Sequence, residues 1–249
     1  MTDGAAAPCV RSAHDRGITA LTLDSPRTRN ALSARMVGEL SDALALAGAD
    51  PATRAVLLTH TGNTFCAGAD LREATSPQGP RRLVALLRAV VELPKPVVAH
   101  VTGHVRAGGI GLLAACDIPV AGPGASFAFT EARLGLAPAV ISLTVLPRMD
   151  ARAAARHYLT GEVFDTAEAV RTGLVAAQEA ALDGILAGLR AGSPQGLAAS
   201  KALTTAAVLG GFDRDAEALI EQSARLFGSP EAAEGTRAFL ERRAAPWAL

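Results

Sequence analysis

A short apolar strand that runs into glycine and then into a second structured segment occurs twice in this chain, and nothing constrains its fold more. The first copy is RAVLLTH (54–60) followed by NTFCAGADLRE (63–73). The second is PVVAHV (96–101) followed by GHVRAGGIGLLAACD (103–117), where Gly108, Gly109 and Gly111 head a helical run of small apolar residues. Apolar runs without alternation read as strands covered on both faces, as in parallel sheets. Glycine at each strand end lets backbone approach backbone or ligand closely. N–H groups left free at a helix start attract negative charge. Two such turns on neighbouring strands can aim two N–H groups at one oxygen, an oxyanion hole. Two ordinary tight turns account for the same glycines, and these residues alone leave both readings open.

The rest of the chain fits around these units. CVRSAH and ITALTL read as strands joined by a hairpin at Asp15-Arg16-Gly17. Ser33 reads as the N-cap of a helix carrying Met36, Val37, Leu40, Ala43, Leu44 and Ala47 on one face. The stretch from Gly62 to Ala74 reads as a loop turning into a helix. PRRLVALLRAVVEL (80–93) reads as an amphipathic helix stopped by Pro94-Lys95-Pro96, and IPVAG and ASFAFT as strands. Alternation of this kind predicts an α/β fold of βαβ units. From about residue 150 the pattern becomes helix after helix. Phe212, Ala216, Leu219, Ile220, Ser223 and Phe227 make one apolar stripe, which packing on the chain's own core explains better than a subunit interface. The expected organisation is a core over 1–190 and a C-terminal helical cap, with a role in oligomerisation, over 191–249.

Composition removes several classes of function. Of 249 residues, 49% are apolar and 19% charged, enough for a sizeable core and against disorder. The 24 basic and 24 acidic residues cancel, which argues against nucleic acid as a partner. The start MTDGAAAPCVRSAHD lacks the basic-then-apolar pattern of a leader, and no run reaches a membrane span. The expectation is a soluble cytoplasmic protein with no membrane partner. Cys9, Cys66 and Cys116 are scattered, and the histidines form no close pair, so no metal is expected. A phosphate loop, a GxGxxG turn after a strand and a GxSxG elbow are all lacking.

Six segments, in order, carry a resemblance: SPRTRNALS (25–33), FCAGADLRE (65–73), KPVVAHVTGHVRAGGIGLLAACD (95–117), SFAFTEARLGLAP (126–138), YLTGEVFDTAEAVRTGLV (158–175) and FLERRAAPW (239–247). Together they resemble the crotonase, or enoyl-CoA hydratase/isomerase, superfamily. The resemblance implies a spiral of βαβ units with a C-terminal helical region, assembled as a homo-trimer or dimer of trimers. It implies chemistry on an acyl-CoA thioester, with coenzyme A as part of the substrate and no separate cofactor. The N–H groups of Ala69 and Gly108 match the oxyanion hole that holds the thioester enolate. Arg27, Ala31, Ala67 and Arg72 match positions along coenzyme A, the arginines suiting its phosphates. Arg242 matches a basic position that reaches coenzyme A from a neighbouring subunit.

The resemblance also exposes a gap. Family hydratases place two glutamates around the double bond. One position here is Glu131, in TEARLG. The other, two residues after Gly109, is Gly111. General acid–base help is worth about 10²–10⁴-fold per group, so losing one carboxylate weakens a hydratase without abolishing it. Moving a double bond from β,γ to α,β needs one proton-shuttling group and the enolate hole. The expected function is therefore enoyl-CoA hydratase-like, with enoyl-CoA isomerase and a catalytically weak acyl-CoA binding protein as alternatives. His104 and Arg106 are expected to point away from substrate, Asp70 to cap its own turn, and Asp117 to end the central helix. Glu73 is expected on a solvated helix face though within reach of the acyl pocket, and Cys66 and Cys116 as packing residues.

Overall fold

A computed structural model describes residues 7–73 and 78–249. It opens with β1 (Val10–Asp15) and β2 (Ile18–Leu23), paired antiparallel through the expected hairpin. Arg16 at φ 44° and Gly17 at φ 83° give the turn two left-handed residues, whose twist matches that of the strands. A 3₁₀ turn (Pro26–Thr28) leads to α1 (Ala34–Ala49), capped as expected by Ser33, which accepts from the Met36 N–H. α1 buries Met36, Val37, Leu40, Leu44 and Ala47.

The spiral follows. Each of three successive passes adds one strand to a large sheet and then a short one to a small sheet. They are β3 (Ala55–His60) with β4 (Thr64–Cys66), then, after α2 (Gly79–Glu92), β5 (Val97–Val101) with β6 (His104–Arg106), then, after α3 (Gly108–Ala115), β7 (Ile118–Ala121) with β8 (Ser126–Ala128). α4 (Ser142–Val145), α5 (Ala151–Thr160), β9 (Phe164–Asp165), α6 (Thr166–Arg171), β10 (Ala177–Gln178), α7 (Leu182–Ala191), α8 (Pro194–Phe227) and α9 (Pro230–Leu240) complete the chain. The large sheet runs β1-β2-β3-β5-β7-β10 and the small one β4-β6-β8-β9. All their pairings are parallel except β1–β2 and β8–β9. β3 and β5 are neighbours, so the two glycine-bearing turns leave the sheet side by side. Every residue of α3 is buried, as an all-apolar helix requires.

Two expectations need correction. The stretch after Ala69 is not a helix: Leu71–Glu73 form turns, fastened by the Glu73 N–H on the Asp70 carbonyl at 2.9 Å. Ala74, its predicted end, lies outside the described residues. The second half is also not purely helical. β9 and β10, each two residues long, extend the two sheets and are too short to leave a periodic pattern. The core-packing reading of the C-terminal stripe holds: Phe212, Ile220 and Ser223 of α8 are buried, and Ala216 and Leu219 pack on the same core. α8 crosses α2, with Arg81–Glu217 and Arg88–Asp213 ion pairs at the crossing. No helix among the described residues is long and apolar enough to cross a membrane.

The loop between β2 and α1 is held by Asn30. Its amide Oδ1 accepts from the Ser25 N–H at 2.7 Å, and Nδ2 donates to the carbonyls of Thr64 at 2.7 Å and Thr61 at 3.2 Å. Asn30 is fully buried at φ 52°, a left-handed conformation that asparagine tolerates better than most residues. Asn30→Ala strands those three groups and strains the turn. It should lower unfolding free energy by about 2–4 kcal/mol in urea denaturation, and Asn30→Gly, free of the strain, should recover about 1 kcal/mol of that.

Candidate active site

The turns that end β4 and β6 meet backbone to backbone. Gly68, at φ 91°, lies so close to the second turn that a Cβ placed on it would be 2.9 Å from the Ala107 Cβ and 3.2 Å from the Gly108 nitrogen. A Cβ on Gly109 would sit 2.7 Å from the Cys66 carbonyl oxygen. Glycine at both places is a demand of packing. Ala107 bears the consequence: it sits at φ 47°, ψ −121°, a region that L side chains rarely occupy and that costs about 1–3 kcal/mol. This bend turns the chain from β6 into α3 with Gly108 as the first helical residue. Ala69 lies opposite. The Leu32 N–H on the Gly68 carbonyl, at 2.8 Å, holds it in a parallel bridge with Leu32. Among the described residues the N–H groups of Ala69 and Gly108 donate to no protein acceptor.

Ala69 and Gly108 both line one cavity that opens to solvent. Glu131 lines it too, at the head of a 3₁₀ turn (Glu131–Leu134) closed by the Leu136 N–H on its own carbonyl at 2.9 Å. Glu131 is 8% exposed, and its Oε2 has no hydrogen-bond partner. Burial raises its pKa to about 7, against which hydrogen bonds from nearby backbone N–H groups act weakly. A carboxyl near neutrality can be base in one half-reaction and acid in the next. The remaining wall is largely apolar: Leu71, Leu83, Leu136, Val140, Phe227 and Phe239 among others.

The position of the second acid is filled. A Cβ on Gly111 would come 2.4 Å from Ile141 Cγ2 and 2.7 Å from Ile141 Cβ. Thr144 Oγ1 donates to the Gly111 carbonyl at 2.9 Å and locks α4 against α3. Ile141 itself lines the cavity. The missing carboxylate is thus replaced by a hydrocarbon wall, and no side chain fits at 111 unless Ile141 moves.

Of the other residues singled out from sequence, Ala67 lines the same cavity. Arg27 (exposed) and Ala31 (buried) belong to the loop that runs alongside it, through the Ala67 N–H on the Arg29 carbonyl at 3.0 Å. Arg72 is 72% exposed and gripped by Asp70 at 2.6 Å. Asp70 caps its own turn as expected, accepting from the Arg72 N–H at 3.0 Å. Arg242 is exposed beyond α9 and does not reach this cavity. His104 bonds Ser126 Oγ and Arg106 the Ser126 carbonyl, both away from the cavity. Cys66 and Cys116 are buried, with thiols pushed up to about 12 by burial, as packing residues should be. Glu73 departs from expectation. It is on no helix face but accepts from the Ala34 N–H at 2.8 Å, at the start of α1, while lining the cavity. Ile141 falls in the stretch 139–146 that the sequence reading expects around the acyl pocket, whereas Phe239, which also lines the cavity, was not singled out. The Tyr158 hydroxyl lies 3.3 Å from Ser142 Oγ, and burial, with a smaller contribution from Glu131, raises its pKa.

The chain is similar to known proteins along nearly its whole length. The pattern of the enoyl-CoA hydratase/isomerase family matches residues 13–248. Enoyl-CoA hydratase EchA19 of Mycobacterium tuberculosis is 34% identical over 250 residues, covering 92% of each chain. The crystal structure of an enoyl-CoA hydratase from Mycobacterium avium superposes with a TM-score of 0.91 at 55% identity, over 96% of this chain and 98% of that one. An enoyl-CoA hydratase from Mycobacterium smegmatis gives 0.77 at 29% identity, over 98% and 100%.

The raised pKa of Glu131 is also a statement about stability. The folded chain keeps this proton up to about pH 7, whereas the unfolded chain releases it near 4.5, the ordinary value for a glutamate. Between these limits the folded state binds the extra proton, so stability falls as pH rises through the window. Glu131→Gln removes that liability. It should match the wild type in urea denaturation at about pH 4 and exceed it at about pH 8 by on the order of 2–3 kcal/mol. An equal difference at both pH values would show that the carboxyl does not titrate there.

Proposed function

The chain belongs to the enoyl-CoA hydratase/isomerase family and has its enoyl-CoA hydratase-like function, and from that premise we propose how the site works. The thioester oxygen docks between the N–H groups of Ala69 and Gly108. Both are free of protein acceptors, and Gly108 begins a fully buried helix whose amide dipoles favour negative charge at that end. They stabilise the enolate that forms when a proton or nucleophile moves on the acyl chain. Glu131 does the proton work. In hydration its carboxylate takes a proton from water as the water oxygen bonds Cβ. The C=C electron pair moves to the thioester oxygen, and the enolate then collapses as Glu131 returns the proton to Cα.

The observation that carries this reading is one buried carboxyl with an unpartnered oxygen, on the same cavity as two unused amides. Coenzyme A is part of the substrate and no separate cofactor is needed. Its phosphates meet Arg27 and Arg72, and Ala31 and Ala67 lie along it. Arg242 serves the site of a neighbouring subunit in a homo-trimer or dimer of trimers. Exposed Leu159 and Val163 give the single chain apolar surface to bury in such an assembly. The location in this reading is cytoplasmic.

A second reading has its own support. With Ile141 against Gly111, position 111 offers no second carboxylate to hold a water. Isomerisation needs none: Glu131 removes a Cα proton from a 3-enoyl thioester, the dienolate rests on the two amides, and the proton returns to Cγ.

Turnover of 2-enoyl- and 3-enoyl-CoA, with mass spectrometry for added water, separates these. Glu131→Gln should lower whichever rate is present by about 10²–10⁴-fold while acyl-CoA binding persists. An unchanged rate would remove Glu131 from the chemistry. Saturable binding without turnover of either thioester would instead identify a binding protein. Gly111→Glu alone should fail to raise hydration, and adding Ile141→Ala should raise it by making room for the carboxylate and its water.

A further inference from the structure

Behind the site, at the other end of α3, lies a group of charges, Lys201 buried and Asp117 and Arg148 half-buried, that the chemistry above does not use. Arg148 donates from Nη1 to the carbonyls of Ala114 and Cys116, the last acceptors of that helix. Lys201 reaches in from α8 with its side chain 4% exposed. Its Nζ meets Asp117 Oδ2 at 2.8 Å, the Val90 carbonyl at 2.8 Å and the Lys95 carbonyl at 3.1 Å. All three partners are acceptors, so the group is an ammonium. The Arg148 guanidinium is always charged. Asp117 Oδ2 also accepts from the Val97 N–H at 2.7 Å, while its Oδ1 has no partner. The Cys116 thiol between them stays neutral, its pKa raised to about 12 by burial and by Asp117. Two cations stand against one anion here, the Lys201 ammonium buried and the Arg148 and Asp117 side chains half-buried, which leaves an excess of one positive charge at this end of α3.

A helix end needs capping, but it does not need net charge. Arg148 on the carbonyls with a neutral neighbourhood would cap α3 as well, and burying the Lys201 ammonium carries a desolvation cost that capping does not call for. We infer that Asp117, Arg148 and Lys201 are positioning residues for the enolate: their excess positive charge, set at the back of α3, favours negative charge at its front, on the oxygen between Ala69 and Gly108. This rests on the proposed docking of the thioester oxygen. The eight residues of α3 span about 12 Å, which puts the charge about 15 Å from that oxygen. Across buried protein, with an effective dielectric near 20, a unit charge at that range changes an ionisation by about five- to tenfold.

The test uses a 3-ketoacyl-CoA, whose Cα proton is acidic and whose enolate absorbs in the near ultraviolet. The apparent pKa of the bound ligand is read by absorbance titration on the full-length protein. Lys201→Met removes one positive charge and should raise that pKa by about half to one unit, lowering kcat about fivefold with little change in KM. Asp117→Asn keeps an acceptor for the Val97 N–H, adds one net positive charge and should move the pKa the opposite way by a similar amount. Arg148→Lys keeps the charge while losing the forked contact, and should leave the pKa in place. Opposite signs for the first two variants are the expected result, since simple loosening of the fold would move both alike. Shifts of one sign, or none, with the enolate band intact would overturn the charge proposal alone. Absence of the band in the wild type at every pH would overturn the docking of the oxygen itself.

Discussion

The contact on which this protein depends is one of backbone on backbone, between the turn after β4 and the turn after β6. Gly68 and Gly109 let the two turns close to a distance that no Cβ permits, and Ala107 is bent into an unfavourable conformation to complete the approach. Strain of this kind persists only where the surroundings over-determine it. Here they do. β3 and β5 are parallel neighbours, β4 and β6 pair beneath them, and the Leu32 N–H clamps the first turn from a third direction. The spiral topology thereby brings two amides, Ala69 and Gly108, to one cavity without a side chain to position either.

Much of this was legible in the sequence, for physical reasons. The strand–glycine–helix units declare themselves because a buried parallel strand is continuously apolar and a close backbone approach excludes every residue but glycine. Ser33 was visible as a cap because its hydroxyl serves a local N–H, and the α8 stripe because its period is local too. What could not be read depends on contacts between distant segments. Ile141 over Gly111 joins residues thirty apart, and nothing in either stretch announces the meeting. Glu73 looked like a solvated helical residue because the helix itself was misjudged. In the fold it sits in a turn and serves the start of α1. Phe239 reaches the cavity only because α9 folds back over the Glu131 turn. β9 and β10 are set by their sheet neighbours and not by their own two residues.

The acid at position 131 and its absence at 111 are linked through the solvent. A carboxylate pair around a double bond keeps water between its members. When one member is replaced by hydrocarbon, the cavity loses both a charge and a reason to stay wet. Burial alone then raises the pKa of Glu131 to about 7, with no neighbouring carboxylate needed to do so. Protonated and ionised forms of the one remaining carboxyl are both populated near neutral pH.

That balance extends to the C-terminal helices. Phe227 ends α8 and Phe239 belongs to α9, and both close the apolar side of the cavity. Apolar lining of this kind lowers the local dielectric, which favours the protonated form of a carboxyl and strengthens hydrogen bonds to the two amides. α8 is in turn anchored by Lys201, whose ammonium is seated at the end of α3. The helix that begins at Gly108 and the helix that shields Glu131 are thus tied to each other at their far ends. A change in the packing of α8 would alter the two halves of the site together, the enolate hole through α3 and the acid through its exposure to water.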